Sequence, residues 1–186
     1  MHRQPLLDLL TQYEQQYSEE SAVVAQIRAL VENAEDCFDR TCRPGHITGS
    51  AWVMSTDRSR CLLVHHGKLV KWLQPGGHAD GDTDVARVAM KEAAEETGLR
   101  SLMLADLLPL DVDVHVIPER CDVQGQLIED AHEHHDIRFL VLASEKEAPT
   151  VSHESRDVRW FTEAEFREIT QEESVLRLWR KAAAWG

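Results

Sequence analysis

Basic side chains are scarce in this sequence: 20 Lys and Arg stand against 33 Asp and Glu, a formal net charge of -13. Such a chain repels phosphate backbones and anionic lipid, which excludes nucleic acid and membrane surfaces as main partners. Long apolar runs are missing as well. Runs such as "LVLA" fall far short of the roughly 20 residues a transmembrane helix needs. The opening "MHRQPLLDLLTQYEQQ" has neither the apolar core nor the small-residue cleavage site of a signal peptide, so a cytoplasmic location is expected. Cys37, Cys42, Cys61 and Cys121 form no CxxC pair; reduced, partly buried thiols are expected rather than disulfides or a zinc site.

What remains is globular. With 186 residues, 42% hydrophobic and 28% charged, and neither repeats nor low-complexity segments, the chain fits one domain plus a helical extension. Leu6, Leu9, Leu10, Tyr13 and Tyr17 recur at helical spacing, as do Val24, Ile27, Val31, Ala34 and Phe38, with Ser18 to Glu20 suiting the start of the second helix. "RPGHITG" ends this pattern, so residues 1–43 are expected as a helical N-terminal extension and 44–186 as the main domain. "HITGSAWVMS" and "CLLVHH" then read as strands. "LQPGGHADGDTD" reads as a glycine-rich loop, and Thr83 to Thr97 as a helix stopped by Gly98. "LDVDVHVI", "DIRFLVLAS" and "DVRWF" add strands, Thr162 to Glu165 is a capping box, and "SVLRLWRKAAAW" closes the chain as a helix. The order implies an α/β layered domain around a mixed sheet.

The chemistry concentrates in "KEAAEETGL". At about 100° per residue, Glu92 and Glu96 fall in line with Val85 and Ala89, while Glu95 lies to one side. The acids therefore share a stripe with apolar residues, where a merely solvated face would lie opposite them. Two readings stay open on spacing alone: surface acids supported by Lys91 and Glu95 at i and i+4, or a cation site. Gly76 and Gly77, after Pro75, allow close backbone approach to a ligand. Carboxylates in such a cleft suit Mg2+ or Mn2+, which bridge to phosphates and so reconcile an acidic protein with a diphosphate ligand.

"GGHADGDTDVARVAMKEAAEETGL" resembles the signature of the Nudix (MutT-like) hydrolases: a glycine, five residues, a first Glu, seven residues, then Arg-Glu-apolar-x-Glu-Glu-x-Gly-apolar. Aligned without gaps, Gly77 opens it and Leu99 closes it, with Glu92, Glu95, Glu96 and Gly98 matching directly. Lys91 stands for the Arg and Thr83 for the first Glu, with Asp80 and Asp82 as neighbouring replacements. The resemblance, over roughly residues 45 to 170, implies an α/β/α sandwich and Mg2+- or Mn2+-dependent hydrolysis of a nucleoside diphosphate linked to another moiety. It implies Glu92, Glu95 and Glu96 as catalytic metal ligands, joined by the Gly77 carbonyl. An LQPGGH loop with a later HEHHD matches one subgroup of the family.

Several further residues are candidates. In "EDAHEHHDIRF", strand alternation sends His132 and His134 one way and Glu133 and His135 the other. Glu133 or His134 suits a catalytic base; a solvated polar loop and a transition-metal site are the alternatives. His78, His134 and Lys91 are candidate substrate contacts, and Trp72 beside the loop is the first choice to stack on a base. Glu154 precedes the "W-F" strand and reads as a surface acid. Two functions compete: a hydrolase, and a catalytically weakened domain that binds a nucleotide-like ligand as a sensor, motivated by Thr83 and Lys91. Diphosphate isomerisation is disfavoured because "WLQPGGH" lacks the cysteine that the family's isomerases carry there. The stripe on the N-terminal helices fits sheet cover, a homodimer interface or closure over substrate.

Overall fold

The computed structural model describes residues 2–185. Two helices open the chain, α1 (Gln4–Gln16) and α2 (Ser21–Asn33), joined by a 3-10 turn at Ser18–Glu20. The strands β1 (Gly45–Ser55), β2 (Arg60–His66), β3 (Trp72–Leu73) and β4 (Gly76–His78) follow, then α3 (Val85–Thr97). Next come β5 (Met103–Leu104), β6 (Asp111–Ile117), β7 (Arg120–Cys121), β8 (Leu127–Glu129), β9 (His132–Ala143) and β10 (Ser155–Thr162), closed by α4 (Glu163–Ile169) and α5 (Glu173–Ala184).

The main sheet runs β10-β2-β1-β9-β5, with β3 on β2, β4 on β1 and β6 on β9. It is mixed, because β1 and β9 pair in parallel from Gly45 beside Glu133 to Ser55 beside Ala143, while their neighbours pair antiparallel. Every residue of β1 is buried, as expected of a central strand covered on both faces. On one face Ile47, Ala51, Val53, Ile137 and Phe139 pack with residues of α1, α2 and α3. On the other, Trp52, Met54, Leu63 and Leu140 pack with Phe161, Phe166 and the α5 stripe Val175, Leu178, Trp179 and Ala182. Each fully buried large side chain contributes about 1.5–3 kcal/mol through removal from water, so the two layers jointly hold the sheet. This is an α/β/α sandwich.

The sequence reading differs from the structure at element ends. The second helix stops at Asn33 because Ala34 turns extended (φ -111°, ψ 116°), and Phe38 enters the core from a turn instead. The glycine-rich loop holds two short strands, since β1 is long enough to pair with Gly76–His78. Helix α3 begins at Val85, two residues late: Asp84 caps it by accepting from the Arg87 amide at 3.0 Å, and the Asp82 side chain shapes the turn before it. Gly98, at φ 69°, ends it in the left-handed conformation that a residue with a Cβ resists. The Thr162 capping box forms as expected. The cysteines are free thiols: Cys37, Cys42 and Cys61 are buried and Cys121 is exposed. No helix among the described residues is long and apolar enough to cross a membrane.

Candidate active site

Strand β4 brings the double glycine against the middle of β1, Gly76 beside Ser50 and Gly77 beside Gly49, and α3 lies across this pair. The contact is close. A Cβ on Gly77 would sit 2.5 Å from the carboxyl carbon of Glu92, so only glycine lets the Glu92 carboxylate rest on the backbone there. The alignment of Glu92 with the apolar side of α3 thus has a steric counterpart in the glycine facing it.

Glu92 and Glu96 are both half-buried, and Glu95 projects into solvent with 60% of its side chain exposed. Burial pushes the Glu96 carboxyl up to about 8, and the charges of Glu92 and Glu154 add to the rise, while the Gly76 backbone opposes it. Burial raises Glu92 as well; Lys91 pulls it down and Glu95 pushes it up. Lys91 is exposed and approaches Glu92 at 3.5 Å and Glu95 at 3.6 Å. Glu96 has no ion-pair partner among the described residues. Carboxylates gathered out of water without enough positive charge resist ionising, and a divalent cation is the natural counter-charge. The hard oxygen donors of Glu92 and Glu96, beside the Gly76–Gly77 backbone, therefore fit Mg2+ or Mn2+.

The acids upstream of α3 are otherwise engaged. Asp80 is held bidentately by Arg40, one contact at 2.6 Å, and Asp82 by Arg87, one contact at 2.7 Å. Each of these two neighbours of half-buried Thr83 is thus already paired with an arginine. Glu154 is the acid that sequence reasoning undervalued. It is exposed, yet its charge reaches both Glu92 and Glu96, because the Gly67 amide bonds its carbonyl at 2.9 Å and fixes the segment before β10. Its position before the "W-F" strand was the one available signal.

The remaining candidates separate into three places. Glu133 accepts from His135 at 3.1 Å and lines an open groove with Arg43, Pro44 and residues of α2. His78 and His134 meet on the opposite face of the sheet, ring centroids 5.1 Å apart, together with His46. Burial lowers the basicity of all three imidazoles, His46 to about 4, so they are neutral at neutral pH. Trp72 stands on Phe161 edge to face at 4.8 Å, with His65 and the Arg159 guanidinium beside it, half-buried in a cluster of its own.

Comparison with known proteins agrees with this geometry. The NUDIX domain family matches residues 46–180. No curated protein matches the chain in sequence. Among solved structures, a binary complex of the C. elegans Ap4A hydrolase superposes with a TM-score of 0.53 at 16% identity, over 75% of this chain and 96% of that one. The E. coli dihydroneopterin triphosphate pyrophosphohydrolase gives 0.52 at 13% identity, over 75% and 94% of the two chains. The M. smegmatis Nudix hydrolase RenU gives 0.51 at 17%, over 75% and 84%. With the family matched over most of its length and the glycine-backed acidic helix in place, the chain belongs to the Nudix family.

Proposed function

We propose that this protein is a divalent-metal-dependent hydrolase that splits the pyrophosphate bond of a nucleoside diphosphate linked to another moiety. The observation that carries this reading is geometric: the Glu92 carboxylate rests on the Gly77 backbone, where a Cβ would lie 2.5 Å from it, and half-buried Glu96 one turn on has no basic partner among the described residues. A bound Mg2+ or Mn2+ would neutralise phosphate charge and lower the pKa of the attacking water. Glu92 and Glu96 hold it from α3, with exposed Glu95 and the Gly77 carbonyl completing the oxygen set. Lys91 stays solvent-facing, placed to meet a phosphate oxygen. Glu154, whose charge reaches Glu92 and Glu96, and Glu133, in the groove beside α2, are the two acids proposed as the base that takes the proton from water. His78 and His134, expected from the sequence as substrate contacts, lie on the sheet face away from α3, and Trp72 stands in a separate cluster with Phe161, so none of the three is assigned to the substrate. In this reading residues 44–186 form the hydrolase unit and 1–43 a helical extension.

A release assay over nucleotide sugars, dinucleoside polyphosphates, dihydroneopterin triphosphate, ADP-ribose and NADH, with Mg2+ and with Mn2+, tests it. The neighbours' names justify including Ap4A and dihydroneopterin triphosphate. Turnover of at least one substrate is expected, falling by about 10³-fold in Glu96→Gln and with chelator, about 4 kcal/mol of barrier. Full activity in either case would sink the reading. Glu133→Gln and Glu154→Gln in the same assay assign the base, which is the acid whose loss lowers kcat with KM unchanged. A second reading, a nucleotide-binding sensor, is favoured by Thr83 and by the neutralisation of Asp80 and Asp82 by arginine. Tight binding with no turnover across the panel would select it.

A further inference from the structure

On the sheet face away from α3, three neighbouring strands each contribute one histidine to a single point. His46 leaves the start of β1, His78 ends β4 and His134 lies in β9; β1 runs between the other two, with Thr48 paired to His78 and His46 to His134. The ring centroids form a nearly equilateral triangle, 4.9 Å from His46 to His134, 5.0 Å from His46 to His78 and 5.1 Å from His78 to His134. One ring nitrogen from each lies within 4.8 Å of the others. We propose that His46, His78 and His134 form a binding site for a zinc-class transition-metal ion, distinct from the carboxylate site on α3.

Unsatisfied nitrogens argue for an occupant. Both ring nitrogens of His46 and Nε2 of His134 are buried without a hydrogen-bond partner among the described residues. The Cys42 backbone lies near His46 and favours its charged form, but neither nitrogen completes a hydrogen bond. Each buried polar group left unpaired costs about 1–3 kcal/mol, and a metal taking one nitrogen from each ring would satisfy two of these three, one of His46 and Nε2 of His134.

Distance and donor type narrow the ligand. Zinc bound by imidazole at about 2.0–2.1 Å places ligating nitrogens about 3.4 Å apart, so closing from 4.8 Å or less asks only for small side-chain rotations. The surroundings limit those rotations to useful ones. His132 stacks on His46 at 5.0 Å with 26° between planes, its Nδ1 tied to the Asp130 carbonyl at 2.8 Å. His115 meets His134 edge-on at 5.4 Å, its Nδ1 tied to Asp113 at 3.1 Å. Three neutral nitrogens and no carboxylate among them select zinc or a late first-row metal over Mg2+, which wants oxygen. Gly77 and His78 are adjacent on β4 and face opposite sides of it, so one short strand serves two sites of different chemistry.

The inference is independent of the hydrolase reading, because its readout is metal binding. The full chain, stripped with chelator and dialysed, is titrated with Zn2+ by calorimetry and with Co2+ by visible absorption. With excess Mg2+ present to occupy the α3 carboxylates, one Zn2+ or Co2+ per chain is expected, with the d–d bands of a four- or five-coordinate nitrogen site. His78→Gln and His134→Gln are expected to weaken binding at least about 100-fold, more than the loss of a supporting hydrogen bond does in known sites. Glu96→Gln is expected to leave it unchanged. In the wild-type chain, histidine ring 15N resonances should move on Zn2+ addition, a readout that needs no variant to fold. Absence of stoichiometric Zn2+ and Co2+ binding, with unmoved ring resonances, would overturn the proposal, leaving a stack of neutral histidines. Binding that survives both histidine variants and vanishes in Glu96→Gln would overturn it equally.

Discussion

Arg138 and Glu96 both carry charge out of water on opposite faces of one sheet, in very different company. Arg138 donates to Asp136 at 2.8 Å, Asp113 at 2.9 Å, Asp111 at 3.1 Å and the Ser174 carbonyl at 3.0 Å. Asp111 in turn accepts from Arg177 at 2.9 Å and Lys181 at 2.7 Å, and Asp136 from Ser50 and Thr48 at 2.7 Å and 2.9 Å. Asp111, Asp113 and Asp136 meet Arg138, Arg177 and Lys181, with Glu20 as a further partner of Lys181 at 2.5 Å, and β6, β9 and α5 are tied through them. Around Glu96 the balance fails: Glu92 and Glu154 add negative charge, and Lys91 reaches only Glu92 and Glu95. Buried charge that is fully paired holds a fold together, while buried charge that lacks a partner marks a site that expects one from solution.

Breaking the paired side should have the largest effect on stability. Asp111→Ala removes the acid shared by Arg138, Arg177 and Lys181 and leaves Lys181 with Glu20 as its one acid partner, and removing one partner from a buried ionic network costs about 3–5 kcal/mol. Urea unfolding of the metal-free chain measures it. A loss below about 1 kcal/mol would mean that water reaches the network and that its balance is incidental.

The two regions also differ in how visible they were in sequence. Glu92 and Glu96 announce themselves by local spacing, because a helix converts sequence distance into direction without help from the rest of the fold. The same holds for His132 with His134 and for Glu133 with His135, which alternate across β9 as a strand requires. Asp111, Asp136, Arg138 and Arg177 are scattered over 67 positions, counting both ends from 111 to 177, and apart from Asp136 with Arg138, two residues apart on β9, nothing local pairs them. Their meeting depends on β6 lying beside β9 and on α5 crossing above, which are long-range contacts. The closeness of Glu154 to Glu92 and Glu96 escaped for the same reason, although its exposure matches the surface acid expected from sequence, and so did the capture of Asp80 by Arg40, forty residues upstream.

The pH dependence of stability should separate the two regions by sign. Glu96 has a folded-state value raised to about 8 above its unfolded one. The stability it contributes is fully present below about pH 4.5 and is lost as pH rises through 8. Burial pushes Asp113 up, but the His115 hydrogen bond and the Arg138 and Arg177 charges outweigh it and hold it well below the usual range. Its contribution is present above about pH 3.9 and disappears as pH falls further. Metal-free protein should therefore lose stability at both ends, for different reasons. Glu96→Gln should remove most of the alkaline loss, raising stability at pH 8 by about 1–3 kcal/mol, with the acid limb unchanged. Thermal unfolding across pH 3 to 9 in chelator checks it; an alkaline limb that persists in Glu96→Gln would place the imbalance elsewhere.

Lys91 tests the boundary between the two kinds of region, because it is the one cation that touches the acidic cluster on α3. If it were part of a structural pairing, its removal would destabilise the chain as Asp111→Ala does. Its side chain is 58% exposed and its contacts are 3.5 and 3.6 Å, the geometry of a surface ion pair, which contributes about 0–1 kcal/mol. Lys91→Ala should therefore shift unfolding by less than about 0.5 kcal/mol. Mn2+ affinity should respond instead. Removing a positive charge beside Glu92 makes the cluster more attractive to a divalent ion, by about 1 kcal/mol at a few ångströms in water-like surroundings, roughly a fivefold gain. Calorimetric titration of Mn2+ into wild type and Lys91→Ala reads this directly. Weaker Mn2+ binding in the variant would show Lys91 to be orienting the carboxylates rather than competing for them, and would move it to the structural side of the comparison.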